Sequence, residues 1–156
     1  MGNTRETIIK LLYNIGTQKE VQQYLKLFSS LDSHKFAVVK VGGSILENNQ
    51  EALVSSLTFL YEVGLYPIVI HGAGPQLNRA LEAAGVESRW VDGMRYTDQK
   101  TLEVARKVFQ EENLKLTDAL EAIGTRTRPM LARAFEAEFL DEKRYGLVGT
   151  TKGVRL

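Results

Sequence analysis

The stretch FAVVKVGGS at residues 36–44 decides the fold class of this chain. Its four leading apolar residues form a continuous run, which predicts a strand that is covered on both faces. The strand leads through Lys40 into the glycine pair Gly42 and Gly43, where a turn is expected. A segment with leucines along one side follows and predicts a helix. The stretch is therefore typical of the start of a strand–helix repeat.

The same pattern returns once more along the chain. A second apolar strand at residues 66–70 ends in the turn HGAGP at residues 71–75. Pro75 suits the first turn of the next helix, where a missing N–H costs nothing. Such repeats pair their strands in parallel through right-handed crossovers. The sequence therefore predicts an α/β fold with a mainly parallel open sheet, and both glycine turns at its carboxyl-end edge, where ligands bind.

Outside this repeat the pattern is less regular. Residues 5–30 predict two short helices or one kinked helix, with an apolar stripe that packs on the same chain or on another subunit. Residues 86–97 predict a loop or a short strand, and residues 130–140 alternate in the manner of strands. No ending element is evident after residue 145. A long helix begins at Thr97 or Asp98, and its predicted apolar face consists of Leu102, Ala105, Phe109, Leu116, Leu120 and Ile123.

Composition excludes several classes of protein. The chain has 156 residues, 20 basic and 19 acidic, and a formal net charge of +1. This balance predicts neither a nucleic-acid partner nor an anionic membrane partner. The absence of cysteine excludes a thiolate zinc site, and the presence of only two histidines argues against a histidine-rich metal site, so no metal site is expected. No stretch approaches the roughly 20 apolar residues of a membrane span. These features favour the cytoplasm, or an organelle protein whose targeting segment has been removed.

The first glycine turn has the residue types that phosphoryl transfer requires. Gly42 and Gly43 have no side chain to keep a ligand away from the backbone, so their N–H groups can point at phosphate oxygens. Lys40 adds a positive charge beside them. Catalysis of phosphoryl transfer depends mainly on such positioning and charge neutralisation. The alternative is an ordinary turn beside a solvated lysine, because a glycine pair after a strand is a weak signal on its own.

The second turn presents Gly72, Ala73 and Gly74 at the start of a helix, a place that suits an anion. Its alternative is a tight turn enforced by close packing. The two turns together are more specific than either alone, since they are expected at neighbouring strand ends. His71 is more typical of a packed histidine than of a catalytic base.

Arg95 lies in the segment DGMRYTD at residues 92–98. An arginine fork matches a carboxylate through two parallel hydrogen bonds, so Arg95 could bind an acidic substrate. The alternative is a surface ion pair with Asp92 or Asp98. A basic cluster of Arg126, Arg128 and Arg133 is typical of a solvated face, with an effector or partner as its alternative.

Three motifs together resemble the amino acid kinase family. They are KVGGS at residues 40–44, HGAG at residues 71–74 and GMRYT at residues 93–97. The third motif makes the chain most similar to N-acetylglutamate kinases. Other segments of the sequence, including YGLVG at residues 145–149, are similar to the fungal and bifunctional bacterial kinase–synthase branch.

The resemblance implies an αβα sandwich whose N-terminal half binds N-acetyl-L-glutamate and whose C-terminal half binds ATP with Mg²⁺. On this basis residues 1–33 are expected to be an oligomerising and regulatory segment. Residues 34–156 are expected to be the N-terminal part of the kinase domain, without its ATP-binding half and inactive alone. The implied product is an acyl phosphate for arginine biosynthesis. The resemblance implies that arginine is the inhibitor and that the protein is a homo-oligomer. It also implies a mitochondrial location if the source is fungal and the presequence has been removed.

The resemblance also assigns roles to single residues of this sequence. It implies that Lys40 stabilises the transferring phosphoryl group and that Gly42 and Gly43 contact phosphate. It further implies substrate-binding roles, which fall on Gly72, Ala73, Gly74 and Arg95.

Two other functions remain open from the sequence. One is a non-catalytic, arginine-sensing kinase-like domain of an N-acetylglutamate synthase, which the retained Lys40 and glycine pair disfavour. The other is an amino acid kinase for aspartate, glutamate or carbamate, which the segment around Arg95 makes the weakest of the three.

Overall fold

A computed structural model of the chain describes residues 35–62, 64–132 and 134–154. The helical segment expected before residue 34 lies outside these residues, and the domain boundary there stays a prediction. The described residues belong to two compact units, one with residues 35–40 and 54–70 and one with residues 41–53 and 71–154. The elements in chain order are β1 (Lys35–Val41), α1 (Gly43–Asn48), α2 (Gln50–Glu62), β2 (Leu65–His71), α3 (Gly74–Ala83), β3 (Trp90–Val91), β4 (Met94–Arg95), α4 (Gln99–Ala122), β5 (Phe135–Phe139), α5 (Glu142–Tyr145) and β6 (Gly149–Val154).

β1 and β2 pair with each other and are connected by α1 and α2. The N–H of Gly72, which follows β2, donates to the carbonyl of Val41 at the end of β1 (2.8 Å). Because the carboxyl ends of the two strands are neighbours, the strands run in the same direction. The predicted α/β class with a parallel pair is confirmed. The other two sheets, β3–β4 and β5–β6, are antiparallel pairs.

In the first unit, β1 and β2 have one open face. Side chains alternate between the two faces of a strand, so Val38 and Lys40 share one face of β1, and both are exposed. Val38 is 61% exposed and Ile70 of β2 is 41% exposed. The expectation that β1 is covered on both faces is therefore wrong, because an apolar run does not specify what covers it. In the same unit, Leu57 of α2 is buried at 2% exposure.

The second unit packs α3 against α1 and α4 around a core that includes Leu46 and Leu81. The apolar face expected for α4 is only partly correct. Phe109 and Ile123 are 39% and 55% exposed. The buried side of α4 is instead formed by Thr101, Val108, Glu112, Leu116 and Leu120, of which the last four are spaced by one helical turn of four residues.

Two local signals place the start of α4 and the hairpin before it. The Asp98 carboxylate accepts a hydrogen bond from the Thr101 N–H (2.7 Å), so Asp98 and not Thr97 is the N-cap. That hydrogen bond lowers the pKa of Asp98 below its ordinary value of 3.8. Between β3 and β4, Asp92 and Gly93 have φ values of 51° and 78°. Positive φ at both positions is the geometry of a type I′ hairpin turn, which favours Asp-Gly.

The last hairpin joins β5 to β6. A strand within residues 130–140 was expected, and β5 (Phe135–Phe139) confirms it. Its partner β6 was not expected from the sequence, because residues 149–154 are mostly small or polar and show no strand alternation. All five residues of β5 are exposed, so this pair is formed by backbone hydrogen bonds with little burial of its own.

Candidate active site

The first glycine turn is short, because α1 begins immediately after β1. Gly42 is the N-cap of α1, with φ −73° and ψ 151°. Its carbonyl accepts the first helical hydrogen bond, from the Ile45 N–H (3.0 Å). The glycine pair thus joins the end of β1 directly to a helix, at the place where the sequence predicted a turn. Gly42 is exposed, whereas Gly43 is buried.

The second glycine turn also leads directly from a strand into a helix. Ala73 is the N-cap of α3 and Pro75 lies in the first helical turn, as the sequence predicted. Ala73 is almost fully buried, at 1% exposure, while Gly74 beside it is exposed. Each turn therefore has one packed residue and one residue that faces solvent.

The two turns touch each other through their backbones. A Cβ atom added to Gly43 would lie 2.9 Å from both the Ala73 Cα and the Gly74 N, and 2.8 Å from Oε1 of Gln76. Real Cβ atoms do not approach backbone atoms so closely, so only glycine fits at position 43. The prediction that the two turns lie together at the carboxyl-end edge of the parallel pair agrees with this contact.

Gly42 and Gly74 differ from Gly43 in having room for a side chain. A Cβ at Gly42 would meet only the Ser44 hydroxyl, at 3.8 Å, and a Cβ at Gly74 would meet nothing within 4 Å. Gly42 also has a backbone conformation that any residue adopts. Among the described residues, neither the space around position 42 nor its backbone conformation requires glycine.

Lys40 is the penultimate residue of β1 and lies in the first unit. Its side chain is exposed. It precedes the N-cap Gly42 by two residues in the sequence. His71 ends β2 and is partly buried, with Nε2 3.2 Å from the Asn113 amide nitrogen and its ring against Phe109. This is the packed histidine that the sequence favoured over a catalytic base.

Arg95 ends the β3–β4 hairpin and is held by three neighbours. Its guanidinium lies 4.6 Å from the centre of the Trp90 ring and donates hydrogen bonds to the Ser88 hydroxyl and to Oδ1 of Asn78. It forms no ion pair with Asp92 or Asp98, so the surface-pair alternative is wrong. A guanidinium has five N–H donors, and the two polar partners leave others for a carboxylate.

The hairpin that carries Arg95 is tied to α5, fifty residues later. Asp92 accepts hydrogen bonds from Arg144 (2.5 Å) and from the Tyr145 hydroxyl (2.9 Å), and the second of these raises the pKa of Tyr145. The Thr97 backbone bonds to the Tyr145 carbonyl (3.1 Å) and to the Leu147 N–H (2.7 Å). These bonds to residues 144–147 hold both Asp92 and Thr97, the residues on either side of β4, in place.

Sequence reasoning missed a polar group behind the first turn, made of Gln76, Glu112 and Lys115. Gln76 Nε2 donates to the Gly43 carbonyl (2.8 Å), and Glu112 pairs with Lys115 (2.6 Å). These residues line one cleft of about 240 Å³, together with Leu46, Glu47, Gln50 and Arg79. The signal was present in α4, because Glu112 interrupts a buried row whose neighbours Val108 and Leu116 are apolar.

Other predicted features add no site within the described part of the chain. Arg126 and Arg128 are exposed, as a solvated face predicts, and Arg133 lies outside the described residues. Residues 35–62, 64–132 and 134–154 contain no group of three acidic or histidine side chains that could bind a metal. Across the same ranges, none of the helices has the length and apolarity needed to cross a bilayer.

Known proteins are similar to this chain over most of its length. The model of the amino acid kinase family matches residues 35–151. Protein ARG5,6, mitochondrial, of Candida albicans is 54% identical over 152 residues, which are 97% of this chain and 18% of that protein. The acetylglutamate kinase of Xanthomonas campestris pv. campestris is 54% identical over 142 residues, which are 91% of this chain and 33% of that protein. The chain thus spans a third or less of the length of these relatives.

Solved structures show the same fold at low sequence identity. The smu.665 protein of Streptococcus mutans UA159 superposes with a TM-score of 0.71 at 20% identity, over 79% of this chain and 52% of that one. The N-acetylglutamate synthase of Neisseria gonorrhoeae superposes with a TM-score of 0.67 at 19% identity, over 89% of this chain and 33% of that one. The family match covers three quarters of the sequence and includes both glycine turns and Arg95, and on this ground the chain belongs to the amino acid kinase family.

Proposed function

We propose that this chain provides the carboxylate-binding part of an acetylglutamate kinase, which transfers the γ-phosphoryl group of ATP to the side-chain carboxylate of N-acetyl-L-glutamate. The name of the Xanthomonas relative, acetylglutamate kinase, supports this substrate. The observation that carries the proposal is the backbone contact between the two glycine turns. Gly43 is fixed by packing, while Gly42 and Gly74 stay open beside it.

The reaction requires a negatively charged oxygen to approach a negatively charged phosphate. One oxygen of the substrate carboxylate forms a bond to the γ-phosphorus, and the bond from that phosphorus to ADP breaks. Charge on the moving phosphoryl oxygens is stabilised by aligned N–H groups and cations. In this proposal Gly42 and Gly43 offer backbone N–H groups, and Lys40 supplies the cation. Mg²⁺ would enter with ATP as part of that substrate and would supply further positive charge for the moving phosphoryl group.

The organic substrate is bound by the second turn and the hairpin. Gly72, Ala73 and Gly74 offer their backbone to N-acetyl-L-glutamate, and Arg95 binds one of its carboxylates. Support for Arg95 comes from its fixed position over Trp90, since a guanidinium that is already oriented loses little freedom on binding.

Binding to the chain itself tests the role of Arg95. Arg95→Lys keeps the charge but loses the planar fork, so we expect N-acetyl-L-glutamate to bind about 10-fold more weakly, a loss of about 1.4 kcal/mol. Arg89→Lys is the matched control, because Arg89 also stacks on an aromatic ring, 4.7 Å from the centre of Tyr96. Isothermal titration calorimetry measures both variants, and equal affinities would remove Arg95 from the substrate site.

A chimera tests phosphoryl transfer. Residues 35–151 replace the matching segment of the Xanthomonas kinase, and acyl phosphate is trapped with hydroxylamine. We expect ATP-dependent hydroxamate with N-acetyl-L-glutamate and at least a 10-fold lower rate with L-aspartate or L-glutamate, since a site built for the acetyl amide is left with unpaired polar groups. A folded chimera that forms no hydroxamate would contradict the proposal.

A second candidate is an arginine-sensing domain that phosphorylates nothing. It is favoured by the fold likeness to the Neisseria N-acetylglutamate synthase, which was also solved with coenzyme A and L-arginine, at a TM-score of 0.61. Arginine binding and hydroxamate formation distinguish the two candidate functions. A sensing domain predicts arginine binding with no hydroxamate from the chimera, whereas a kinase predicts hydroxamate whether or not arginine inhibits it.

Assembly and location follow from the same proposal. A homo-oligomer is expected through the segment before residue 34, with arginine as the inhibitor that acts there. The fungal relatives carry the word mitochondrial in their names. For a chain of fungal source we therefore propose the mitochondrion, and for a bacterial source the cytoplasm. Sedimentation velocity with and without arginine tests the assembly.

A further inference from the structure

Gln76 connects the first glycine turn to the helices behind it. It lies in the first turn of α3, two residues after Gly74. Its side-chain nitrogen donates to the Gly43 carbonyl at 2.8 Å and to Oε2 of Glu112 at 3.4 Å. The two hydrogens of one amide group thus join the turn to α4.

The Gly43 carbonyl and the Glu112 carboxylate together determine which way this amide points, because both accept hydrogen bonds from its nitrogen. The Glu112 carboxylate is buried on the packed side of α4 and is balanced by Lys115, at 2.6 Å. An ionised carboxylate accepts hydrogen bonds and donates none, so the nitrogen and not the oxygen of the Gln76 amide faces it. As a result Gln76 Oε1 is buried without a hydrogen-bond partner among the described residues. Leaving a buried acceptor unpaired costs about 1–3 kcal/mol, and such a cost is typical of a functional constraint.

We propose that Gln76 and Glu112 are positioning residues for the first glycine turn, holding its backbone in the orientation that binds phosphate. The inference rests on the proposed kinase function and adds two residues to it. The peptide group between Gly43 and Ser44 is planar, so the hydrogen bond to the Gly43 carbonyl also fixes the direction of the Ser44 N–H. Lys115 takes part only by balancing the charge of Glu112.

Nuclear magnetic resonance of the full 156-residue chain, labelled with ¹⁵N, tests this inference with inorganic phosphate as the probe. Glu112→Leu removes the acceptor and places an apolar residue between Val108 and Leu116, so we expect the unfolding temperature to stay the same or rise. We also expect the Gly43 and Ser44 amide signals to move and phosphate to bind about 3- to 10-fold more weakly, as the loss of one hydrogen bond predicts. N-acetyl-L-glutamate should bind within twofold of the wild-type affinity.

Glu111→Leu is the matched control, one residue earlier and exposed on the same helix. It should leave both the turn signals and the phosphate affinity unchanged. Gln76→Met provides a second variant of similar size that keeps every charge, and it should reproduce the shifted signals and the weaker phosphate binding of Glu112→Leu.

The outcomes separate the two proposals. Unmoved Gly43 and Ser44 signals in both Glu112→Leu and Gln76→Met, or shifts equal to those of Glu111→Leu, would overturn the positioning role while leaving the kinase proposal intact. Wild-type chain that binds no phosphate at its first turn would overturn the positioning inference, whereas hydroxamate formation by the chimera decides the kinase proposal separately. Moved signals with an unchanged phosphate affinity would also overturn the inference, because the orientation would then not matter for binding.

Discussion

The two sides of the first glycine turn make different demands on the same residue type. At Gly43 the fold itself needs glycine, because the backbone of the second turn occupies the place of a Cβ atom. At Gly42, one residue earlier, the conformation is ordinary and the space is open. The difference teaches that one glycine of a pair can be required by packing while its neighbour is not, and we propose that a ligand is the reason for glycine at position 42. Stability and activity measurements can therefore separate the two.

The largest effect that tests this comparison is a loss of activity, and it is expected at Gly42. In Gly42→Ala the added methyl group meets no protein atom closer than 3.8 Å, but it occupies the space in which the proposed phosphate approaches the backbone. We expect the chimeric kinase to lose on the order of 100-fold in kcat/KM, as a misplacement of about 1 Å at a reacting group can cause. Hydroxamate assays measure this loss. Wild-type activity in Gly42→Ala would mean that the open side of the turn binds nothing.

Gly43→Ala should show the opposite behaviour, with its effect on folding. Its methyl group would lie 2.9 Å from two backbone atoms that cannot move independently, and overpacking of this kind costs about 1–3 kcal/mol. Urea unfolding of the 156-residue chain measures the free energy of unfolding. Gly42→Ala is the control and should change that free energy by less than about 1 kcal/mol, because the reduced freedom of the unfolded chain is opposed by the poorer capping of α1 by alanine. Equal destabilisation by both substitutions would end the distinction.

A smaller effect on stability is expected at Asp98, where a side chain and not the backbone fixes the start of α4. The pKa of Asp98 is lowered by its hydrogen bond to Thr101, so its carboxylate stabilises the folded state above the unfolded-state pKa. That contribution is lost as the pH falls below about 4 and through the lowered pKa. Asp98→Asn keeps a good N-cap without titration. We expect a small difference in the free energy of unfolding between the wild-type chain and Asp98→Asn at pH 7, and no difference near pH 2. Urea unfolding at both pH values measures it.

Much of this structure could be predicted because local chemistry determined it. Pro75 marked the start of α3, and Asp98 offered the only nearby carboxylate that could cap α4. The approach of the two turns followed from the general behaviour of parallel strands. Arg95 was predicted as a residue of interest from its segment, although its Trp90 stacking was not.

The remaining features depend on partners that are distant in sequence. β6 pairs with β5 through backbone groups, which leave no pattern in residues 149–154. The exposure of Phe109 and Ile123 depends on where α3 packs against α4, since both lie beside the buried row and not on it. The turn at Asp92 and Gly93 is a different case, because Asp-Gly is a recognised hairpin signal that was present in the sequence and was overlooked.

The bonds between Thr97 and residues 145–147 have a practical consequence for anyone who shortens or cuts this chain. A chain that ends before Arg144 would lack both backbone partners of Thr97 and both side chains that bond to Asp92. A protease cut at the start of α5 would detach the same groups. Arg95 lies between these two anchored positions. Its guanidinium would then lose its fixed direction, although every residue that touches it directly would still be present.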